Sequence, residues 1–399
     1  MKKRKEYYLI LLKGSDLLNN ISSIVQERKC LGCGACISSC PKSLIKMSTD
    51  EAGFFVARIT SETQCIQCGA CLNRCATNIN NKMENNYKAF YGYMNDEKEI
   101  QYSTSGGLFA SMAKSFLAEG GIVFGAALDL NNKEIKHIKV DCEEELYSIL
   151  KSKYVQSNSV CSYYEVLNYL ENNKKVLFCG TPCQIYGLKK YLNKQYSNLY
   201  TVDFICHGVP SKKLFFEYID TLSLKYGNVI SYDFRAKDNG WQKQTIKINN
   251  KKKRVLLDEY NLMFLRDISL NPGCLNCPFR KKHYSDLILA DFWGYKSVIK
   301  NINIRNGISL ILSATRKGDI LLKQAQEFSS IMPMEFKFAE YAFSEIKDAN
   351  NKRIKSINFY NDYIENGYKY IKNKYASRIE LKYVEAICKN YLKALKVFK

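Results

Sequence analysis

Two runs of four cysteines near the start of the chain have the spacing of iron ligands. Each run reads C-x2-C-x2-C-x3-C, and the eight residues are Cys30, Cys33, Cys36, Cys40, Cys65, Cys68, Cys71 and Cys75. The two-residue gaps wrap the backbone around three corners of a [4Fe-4S] cube, and the remote fourth cysteine completes the opposite cluster. The clusters are therefore expected on two mixed sets, namely Cys30, Cys33, Cys36 and Cys75, and Cys65, Cys68, Cys71 and Cys40.

The residues around these cysteines fit the pattern of a bacterial-type ferredoxin. Pro41 follows the first run, as that pattern expects, whereas Ala76 takes the place of the second proline. Three glycines allow the backbone to bend close to a cluster, and they are Gly32, Gly34 and Gly69. A pair of four-cysteine zinc sites is the alternative, but it gives no reason for the third cysteine of each run. The segment predicts an electron carrier.

A second set of cysteines is spread through the larger part of the chain. Cys183 and Cys206 each follow a short apolar stretch that predicts a strand, so both are expected at carboxyl ends of strands, where open α/β sheets bind ligands. Cys274 and Cys277 lie in a metal-type knuckle, Asn-Pro-Gly-Cys-Leu-Asn-Cys-Pro. Thiols from two strand ends and one knuckle can converge on a metal, and a zinc ion with four thiolate ligands is one possibility.

Three further motifs accompany these cysteines. They are Thr104-Ser105-Gly106-Gly107, Ser152-Lys153-Tyr154-Val155-Gln156-Ser157 and Ala290-Asp291-Phe292-Trp293-Gly294. Together and in this order, the motifs resemble the β-subunit family of coenzyme F420 hydrogenase and dehydrogenase, from about residue 87 to residue 330. The resemblance implies an FAD-containing domain with one further [4Fe-4S] cluster on Cys183, Cys206, Cys274 and Cys277. Longer members of that family also carry a ferredoxin-type module.

The resemblance also implies which residues contact FAD. They are Thr104, Ser105, Gly106, Gly107, Lys153, Tyr154, Gln156 and Ser157. A glycine turn that opens a helix suits the pyrophosphate, because the helix offers free N–H groups and the positive end of its dipole. Taken alone, Ser-Gly-Gly before a helix is more often a turn and cap.

Other side chains with reactive groups have less specific assignments. His207 is a candidate proton donor near the flavin, or a hydrogen-bond donor to a cluster sulfur. Cys179 is either a redox thiol or a buried strand residue. Cys142, Cys161 and Cys388 have no ligand spacing, and we expect ordinary thiols there. Trp241 and Trp293 either line a pocket or pack as core aromatics.

The chain divides into four predicted segments. They are a lead-in helix at 1–20, a two-cluster ferredoxin-type domain at 21–80, an FAD and [4Fe-4S] domain at 81–335, and a basic helical region at 336–399. The second contains an expected hairpin of Leu44 to Met47 and Phe54 to Ile59. The third alternates helices with apolar strands, which predicts a mixed, partly parallel α/β sheet, α+β overall. We expect the last to be a solvated helical tail, with a docking surface as the alternative.

The amino-acid composition limits which partners and which cellular location the protein can have. The formal net charge of +21 is reduced by about six when three clusters bind, since each carries about −2 with its four thiolates. The remaining excess favours an acidic redox partner, a phosphate-bearing cofactor, an anionic glycan or a membrane surface, or it reflects a lysine-rich composition. No apolar run approaches the length of about 20 residues that spans a bilayer. No signal peptide is expected, because the apolar start is short and no cleavage site follows.

These observations lead to a functional expectation. Iron-binding thiolates need a reducing compartment, so we expect a cytoplasmic protein. We expect an oxidoreductase that passes electrons between a ferredoxin-like or other redox protein and an organic two-electron substrate, with the deazaflavin F420 as one candidate. A non-catalytic electron-transfer subunit of a larger complex is the alternative. An iron-sulfur sensor that binds nucleic acid is not expected, because no helix-turn-helix pattern stands out. The oligomeric state stays open.

Overall fold

A computed structural model describes residues 18–79, 87–243, 245–254, 258–299, 305–343 and 347–376. Most of the expected lead-in helix, Cys388 and the end of the C-terminal region lie outside the described residues.

The cysteine-rich module is built from short elements around one hairpin. Its elements are α1 (Ser22–Gln26), β1 (Ile45–Thr49), β2 (Phe55–Ile59) and α2 (Ala70–Arg74). Strands β1 and β2 pair antiparallel, with Ile45 opposite Ile59 and Thr49 opposite Phe55. The hairpin predicted between the two cysteine runs is therefore confirmed.

The larger part alternates strands and helices. Its first half contains β3 (Lys88–Met94), α3 (Leu108–Ala118), β4 (Ile122–Asp129), β5 (Glu134–Val140), α4 (Glu143–Leu146), α5 (Tyr163–Glu171), β6 (Val176–Cys179), α6 (Pro182–Leu192), β7 (Leu199–Phe204) and α7 (Lys212–Tyr226). Its second half contains β8 (Tyr232–Ala236), β9 (Thr245–Ile248), β10 (Lys251–Arg254), α8 (Glu259–Leu265), β11 (Leu287–Asp291), β12 (Ser309–Ser313), α9 (Arg316–Ala325), β13 (Ser329–Met334) and α10 (Ala349–Ile371).

Eight of these strands form one mixed sheet in the order β13-β3-β12-β11-β7-β6-β4-β5. Its centre is parallel, because β4 pairs with β6, β6 with β7 and β7 with β11 in parallel. The edge strands join through antiparallel pairs. Val176 to Phe178 in β6 are completely buried, as expected for a parallel strand covered on both faces. The predicted mixed, partly parallel α/β fold is confirmed.

Two helices start directly after central parallel strands, and their caps explain where they begin. Helix α6 has Pro182 in its first turn, and the Thr181 N–H donates to Gln184 Oε1 at 2.9 Å. Helix α7 begins after Ser211, whose Oγ accepts the Leu214 N–H at 3.1 Å. Both helices therefore start at the edge of the sheet where the central strands end.

The last helix contradicts the expectation of a solvated tail over the part that the structure describes. Phe359, Tyr360 and Tyr363 of α10 are at most 2% exposed and belong to a core that also contains Phe54 of the cysteine module. The Phe54 and Tyr360 rings meet edge to face at 4.8 Å between centroids. The partner of this aromatic stripe lies about 300 residues earlier in the chain, so no local pattern indicates its burial. Gly367 interrupts the helix with a φ of 75°.

Within the described residues, no helix combines the length and the apolar character needed to cross a membrane.

Candidate iron-sulfur sites and central cavity

The first expected cluster site lies inside the module, and we call its residues Cys30, Cys33, Cys36 and Cys75 the proximal site. Cys33, Cys36 and Cys75 are buried, and Cys30 is half-buried. Burial raises the pKa of the Cys36 thiol, and negative charge at Cys30, Cys75 and the distal Cys71 raises it further. These thiols are thus electrostatic neighbours although they come from both cysteine runs.

The second expected site is the distal site, formed by Cys40, Cys65, Cys68 and Cys71. All four residues line one small cavity. Cys71 is buried, whereas Cys68 is exposed and the neighbouring Ile66 side chain is 60% exposed. The swapped fourth cysteines of the sequence prediction agree with this arrangement.

The third set, Cys183, Cys206, Cys274 and Cys277, is the inner site. Cys183 is the second residue of α6, and Cys206 lies just beyond the end of β7. Cys274 sits in a 3-10 turn, Pro272–Asn276, and Cys277 follows it. Burial raises the pKa of Cys274 to about 12, and a thiolate at Cys206 contributes to the shift. Burial also raises the pKa of Cys277, and negative charge at the other three inner cysteines adds to that shift.

The donor chemistry of the inner site fits a metal centre. Four thiols enclosed together repel one another when ionised, and a cationic metal core supplies the charge that makes four thiolates favourable. An all-thiolate set suits both a [4Fe-4S] cluster and a zinc ion. The four residues that sequence reasoning selected therefore line one cavity, and the metal that they hold stays a prediction.

One cavity of about 460 Å³ joins the inner site to the expected flavin-contacting residues. It lies at the carboxyl ends of the central strands, where Cys179, Cys206 and Asp291 line it. It is also lined by all four inner cysteines and by seven of the eight residues expected to contact FAD, namely Thr104, Ser105, Gly107, Lys153, Tyr154, Gln156 and Ser157. This central cavity has the size of a small-molecule site, about 300–1,000 Å³.

The start of helix α3 forms one wall of the central cavity. Gly107 precedes the helix with a φ of +80°, and no side chain caps the first turn. Leu108, Phe109 and Ala110 of that turn line the cavity. An uncapped first turn with this conformation offers N–H groups and a positive dipole end to an anion.

Gly106 has a different position from its neighbours in the turn. Its N–H donates to Ser309 Oγ at 2.9 Å, and an added Cβ would lie 2.4 Å from the Gly92 carbonyl oxygen. Its small size therefore serves the packing of the turn against β3 and β12.

Half-buried Lys153 and buried Lys237 lie close to this wall. Lys153 Nζ donates to the Leu150 carbonyl at 2.5 Å, and burial lowers its pKa to about 7. Lys237 Nζ donates to the Ser105 carbonyl at 2.6 Å, and burial lowers its pKa to about 7 as well. An anion bound in the cavity would favour their charged forms.

Gln156 connects the central cavity to the cysteine module. Its Oε1 accepts the Phe55 N–H at 2.7 Å, and its Nε2 donates to the Leu31 carbonyl at 3.3 Å. The side chain is 4% exposed. Its amide therefore holds the module against the larger domain, whatever its contact with a cofactor.

The rest of the Ser152–Ser157 segment is fixed by buried contacts. The Tyr154 ring stacks on Phe264 at 4.9 Å. Gln184 Nε2 donates to Ser157 Oγ at 3.0 Å. His137 packs beside this residue, and burial lowers its pKa to about 4, so the neutral ring lines the cavity.

His207 lines the central cavity next to Cys206. Its Nε2 lies 2.6 Å from Asp267 Oδ1, and Lys352 Nζ lies 2.6 Å from the other carboxylate oxygen. Burial alone would raise the pKa of Asp267. Hydrogen bonds and positive charge from His207 and Lys352 outweigh burial, so the pKa is lowered. The ring is therefore held in place at the cavity, and its role as a proton donor stays a prediction.

Sequence reasoning missed the cationic lining of the cavity. Arg235 Nη1 donates to Asp291 Oδ2 at 2.5 Å, and the guanidinium lies 5.7 Å from the centroid of Trp293. Trp293 stacks on Trp241 at 4.6 Å, so both alternatives for the tryptophans hold, because this pair packs and Trp293 lines the cavity. Asp291 belongs to a sequence motif, but no local pattern marks Arg235.

Comparisons with known proteins match two parts of the chain. Residues 173–334 match a family model for the C terminus of the coenzyme F420 hydrogenase/dehydrogenase beta subunit, and residues 29–79 match a 4Fe-4S dicluster domain. One similar solved chain comes from the xenon-derivatized F420-reducing [NiFe] hydrogenase complex of Methanosarcina barkeri. It is 14% identical, the match covers 74% of this chain and 95% of that chain, and the TM-score is 0.46. No curated protein matches the chain.

Proposed function

We propose that the chain is an iron-sulfur flavoprotein oxidoreductase, because residues 173–334 match the coenzyme F420 hydrogenase/dehydrogenase beta subunit model and residues 29–79 match a 4Fe-4S dicluster domain. It passes electrons between a ferredoxin-like partner and an organic two-electron substrate. FAD occupies the central cavity, and the inner site holds a third [4Fe-4S] cluster. Coenzyme F420 is one candidate substrate. Because the thiolates must stay reduced, we assign the protein to the cytoplasm.

One observation carries the proposal, which is that a single cavity is lined by the inner cysteines and by the Thr104 to Gly107 turn. A four-thiolate site and an uncapped helix start thus share one enclosed space. When bound there, iron-sulfur clusters transfer single electrons and a flavin couples them to two-electron chemistry.

The charges of the cavity support a phosphate-bearing cofactor. Its described lining residues include four lysines and arginines, Lys151, Lys153, Arg235 and Arg280, and one carboxylate, Asp291. Lys151 is paired with Asp233 and Arg235 with Asp291, so Lys153 and Arg280 contribute most of the excess positive charge. A pyrophosphate at the start of α3 would be stabilised by the helix dipole and by these cations.

The chain's own residues have distinct roles in this proposal. The first turn of α3 binds the pyrophosphate through backbone N–H groups. Lys153 contributes charge, and Gln156 fixes the module beside the cavity. Asp267 orients His207, which stands at the cavity as the candidate to hold a proton for the substrate.

An activity experiment tests the proposal. The full chain is purified without oxygen and given a photoreduced bacterial ferredoxin, then F420 and a panel of small organic acceptors. We expect flavin absorbance to bleach and at least one acceptor to be reduced by the isolated chain. Bleaching without acceptor reduction, with activity gained only when a co-purifying protein is added back, would favour a non-catalytic electron-transfer subunit. A chain that binds no flavin would contradict the proposal.

A further inference from the structure

We propose that electrons follow one order through the chain, from the distal site to the proximal site and then across Cys33 and Cys183 to the inner site. Gly187 and Tyr163 are the positioning residues that hold the last junction together. The inference rests on the proposed function, because it takes the inner site to hold a [4Fe-4S] cluster. It adds that the proximal site is the N-terminal site next to the inner site. It also adds which residues hold the proximal and inner sites in fixed positions.

Exposure separates the two N-terminal sites. Cys68 of the distal site is exposed and Ile66 beside it is 60% exposed, so a protein partner can approach this edge. Cys33 and Cys75 of the proximal site are each 8% exposed. Electrons from a partner therefore reach the distal site first, and the proximal site lies further inside the protein.

Cys33 connects the proximal site to the inner site. Its backbone carbonyl packs against Gly187, one helical turn after Cys183 in α6. Cys33 also shares an apolar cluster with Cys183, Cys274 and Cys277. Three distal cysteines, Cys40, Cys65 and Cys71, belong to a different cluster, so Cys33 is the module cysteine that packs with the inner site.

Gly187 allows the module to approach helix α6 this closely. It lies in the helix one turn after Cys183, and a Cβ added there would stand 1.8 Å from the Cys33 carbonyl oxygen. No heavy atom fits at that distance, so any larger residue must push the Cys33 loop away from the helix. The helix itself would accept alanine better than glycine, so the glycine serves the contact.

Tyr163 clamps the same contact through its hydroxyl group. The oxygen lies 3.0 Å from the Cys33 carbonyl and 2.9 Å from the Gln184 carbonyl, and the single proton is shared between these two acceptors. Gln184 follows Cys183 directly, so one buried hydroxyl bridges the backbones that carry both junction cysteines. Tyr163 is completely buried, which keeps water from competing for this contact.

The segment that carries Cys274 and Cys277 also contacts the cysteine module. Asn271 Nδ2 donates to the Cys30 carbonyl at 3.1 Å, and a Cβ at Gly273 would stand 2.6 Å from the Lys29 carbonyl. Both residues lie just before Cys274 in the chain. The proximal and inner sites are thus fixed to each other from two sides.

The transfer at this junction is a one-electron step. The reduced proximal site gives up one electron and the oxidised inner site gains it, with no bond made or broken and no proton moved. A low-potential one-electron donor supplies the distal site, and an acceptor in the central cavity takes up two electrons in succession.

The test uses the full chain with Cys65→Ser and Cys68→Ser together, which removes the distal cluster and leaves about eight irons. Both remaining clusters are reduced with dithionite, and their electron paramagnetic resonance spectrum is recorded. We expect mutual splitting and broadening of the two signals, because the proximal and inner sites are neighbours. Adding Gly187→Ala should preserve the iron content and cause a loss of this splitting.

Gly318→Ala is the matched control. Gly318 also lies in a helix, and its added Cβ would stand 2.2 Å from a carbonyl oxygen, that of Asp286. It creates the same kind of clash without touching a cysteine loop, so the splitting should persist. If Gly187→Ala does not fold, Tyr163→Phe decides the question, since it removes only the bridging hydroxyl and should also weaken the splitting.

The outcomes separate this inference from the proposed function. If the variant with Cys65→Ser and Cys68→Ser holds about eight irons but its resonance signals show no splitting, the order of electron transfer is overturned and the proposed function is not. Splitting that survives both Gly187→Ala and Tyr163→Phe would overturn the positioning roles. About four irons and one zinc would overturn the order together with the inner cluster of the proposed function.

Discussion

The cysteine module and the central cavity both gather thiols, but they do so in opposite ways. The module takes eight cysteines from one stretch, residues 30–75, and folds them around a single hairpin. The inner site takes four from the starts or ends of separate elements along residues 183–277. The first arrangement is specified by local spacing, whereas the second exists only once the parallel sheet has formed. The two regions should therefore respond differently to substitution.

The largest difference between the cysteine module and the inner site should follow from substituting one cysteine of the inner site. Cys277→Ser should cost the inner cluster and lower the iron content from about twelve to about eight per chain, while the module keeps its own clusters. Iron and acid-labile sulfide per chain measure this. Cys161→Ser is the control, since Cys161 is exposed and its thiol donates to the Asn158 carbonyl at 3.2 Å. Loss of zinc with no change in iron would refute an iron cluster at the inner site.

A second difference between the two regions concerns the turn before α3, which forms one wall of the central cavity and is expected to contact FAD. Gly107→Ala should lower the flavin content, because alanine at a φ of +80° distorts the turn that opens α3. The iron content should not change. Gly120→Ala, at the other end of the same helix with a φ of +72° and open space around it, carries a similar backbone strain of about 1–2 kcal/mol away from the cavity. Equal flavin loss in both variants would point to general destabilisation.

Acid should weaken the cavity region through His137. Its pKa is lowered from 6.5 to about 4 by burial, so the unfolded chain binds the extra proton between these values and the folded chain does not. Its stabilising contribution is complete above about pH 6.5 and is lost as the pH falls to about 4, a change of roughly 3 kcal/mol in the free energy of unfolding. Urea unfolding of wild type and His137→Gln across this range measures it. Identical pH slopes would contradict the assignment.

The contact between the two regions should give the smallest effect. Gln156→Leu leaves the buried Phe55 N–H without its acceptor, which costs about 1–3 kcal/mol in the free energy of unfolding. Denaturant unfolding measures the loss. Gln101→Leu serves as the control, because the side chain of Gln101 donates to Asn306 within the larger domain. A loss no larger than that of the control would show that Gln156 does not hold the module.

The same comparison explains what could be predicted from the sequence. The hairpin and the alternating strands and helices are local patterns, and their prediction is confirmed, whereas the ligand sets read from cysteine spacing stay predictions. Gln156 against Phe55 and Gly187 against Cys33 join residues more than 100 positions apart, so no local pattern marks them. The burial of Tyr360 in α10 was missed for the same reason, since its partner Phe54 lies in the module. The inner cysteines were selected because two of them follow predicted strands and two form a metal-type knuckle, and the three further motifs added the family resemblance.

The most direct test of the account is a count of iron, sulfide, zinc and flavin in the full chain purified without oxygen. The account predicts about twelve irons, a matching amount of sulfide and one FAD per chain. About eight irons with one zinc would contradict the inner cluster. About twelve irons without flavin would contradict the assignment of the central cavity.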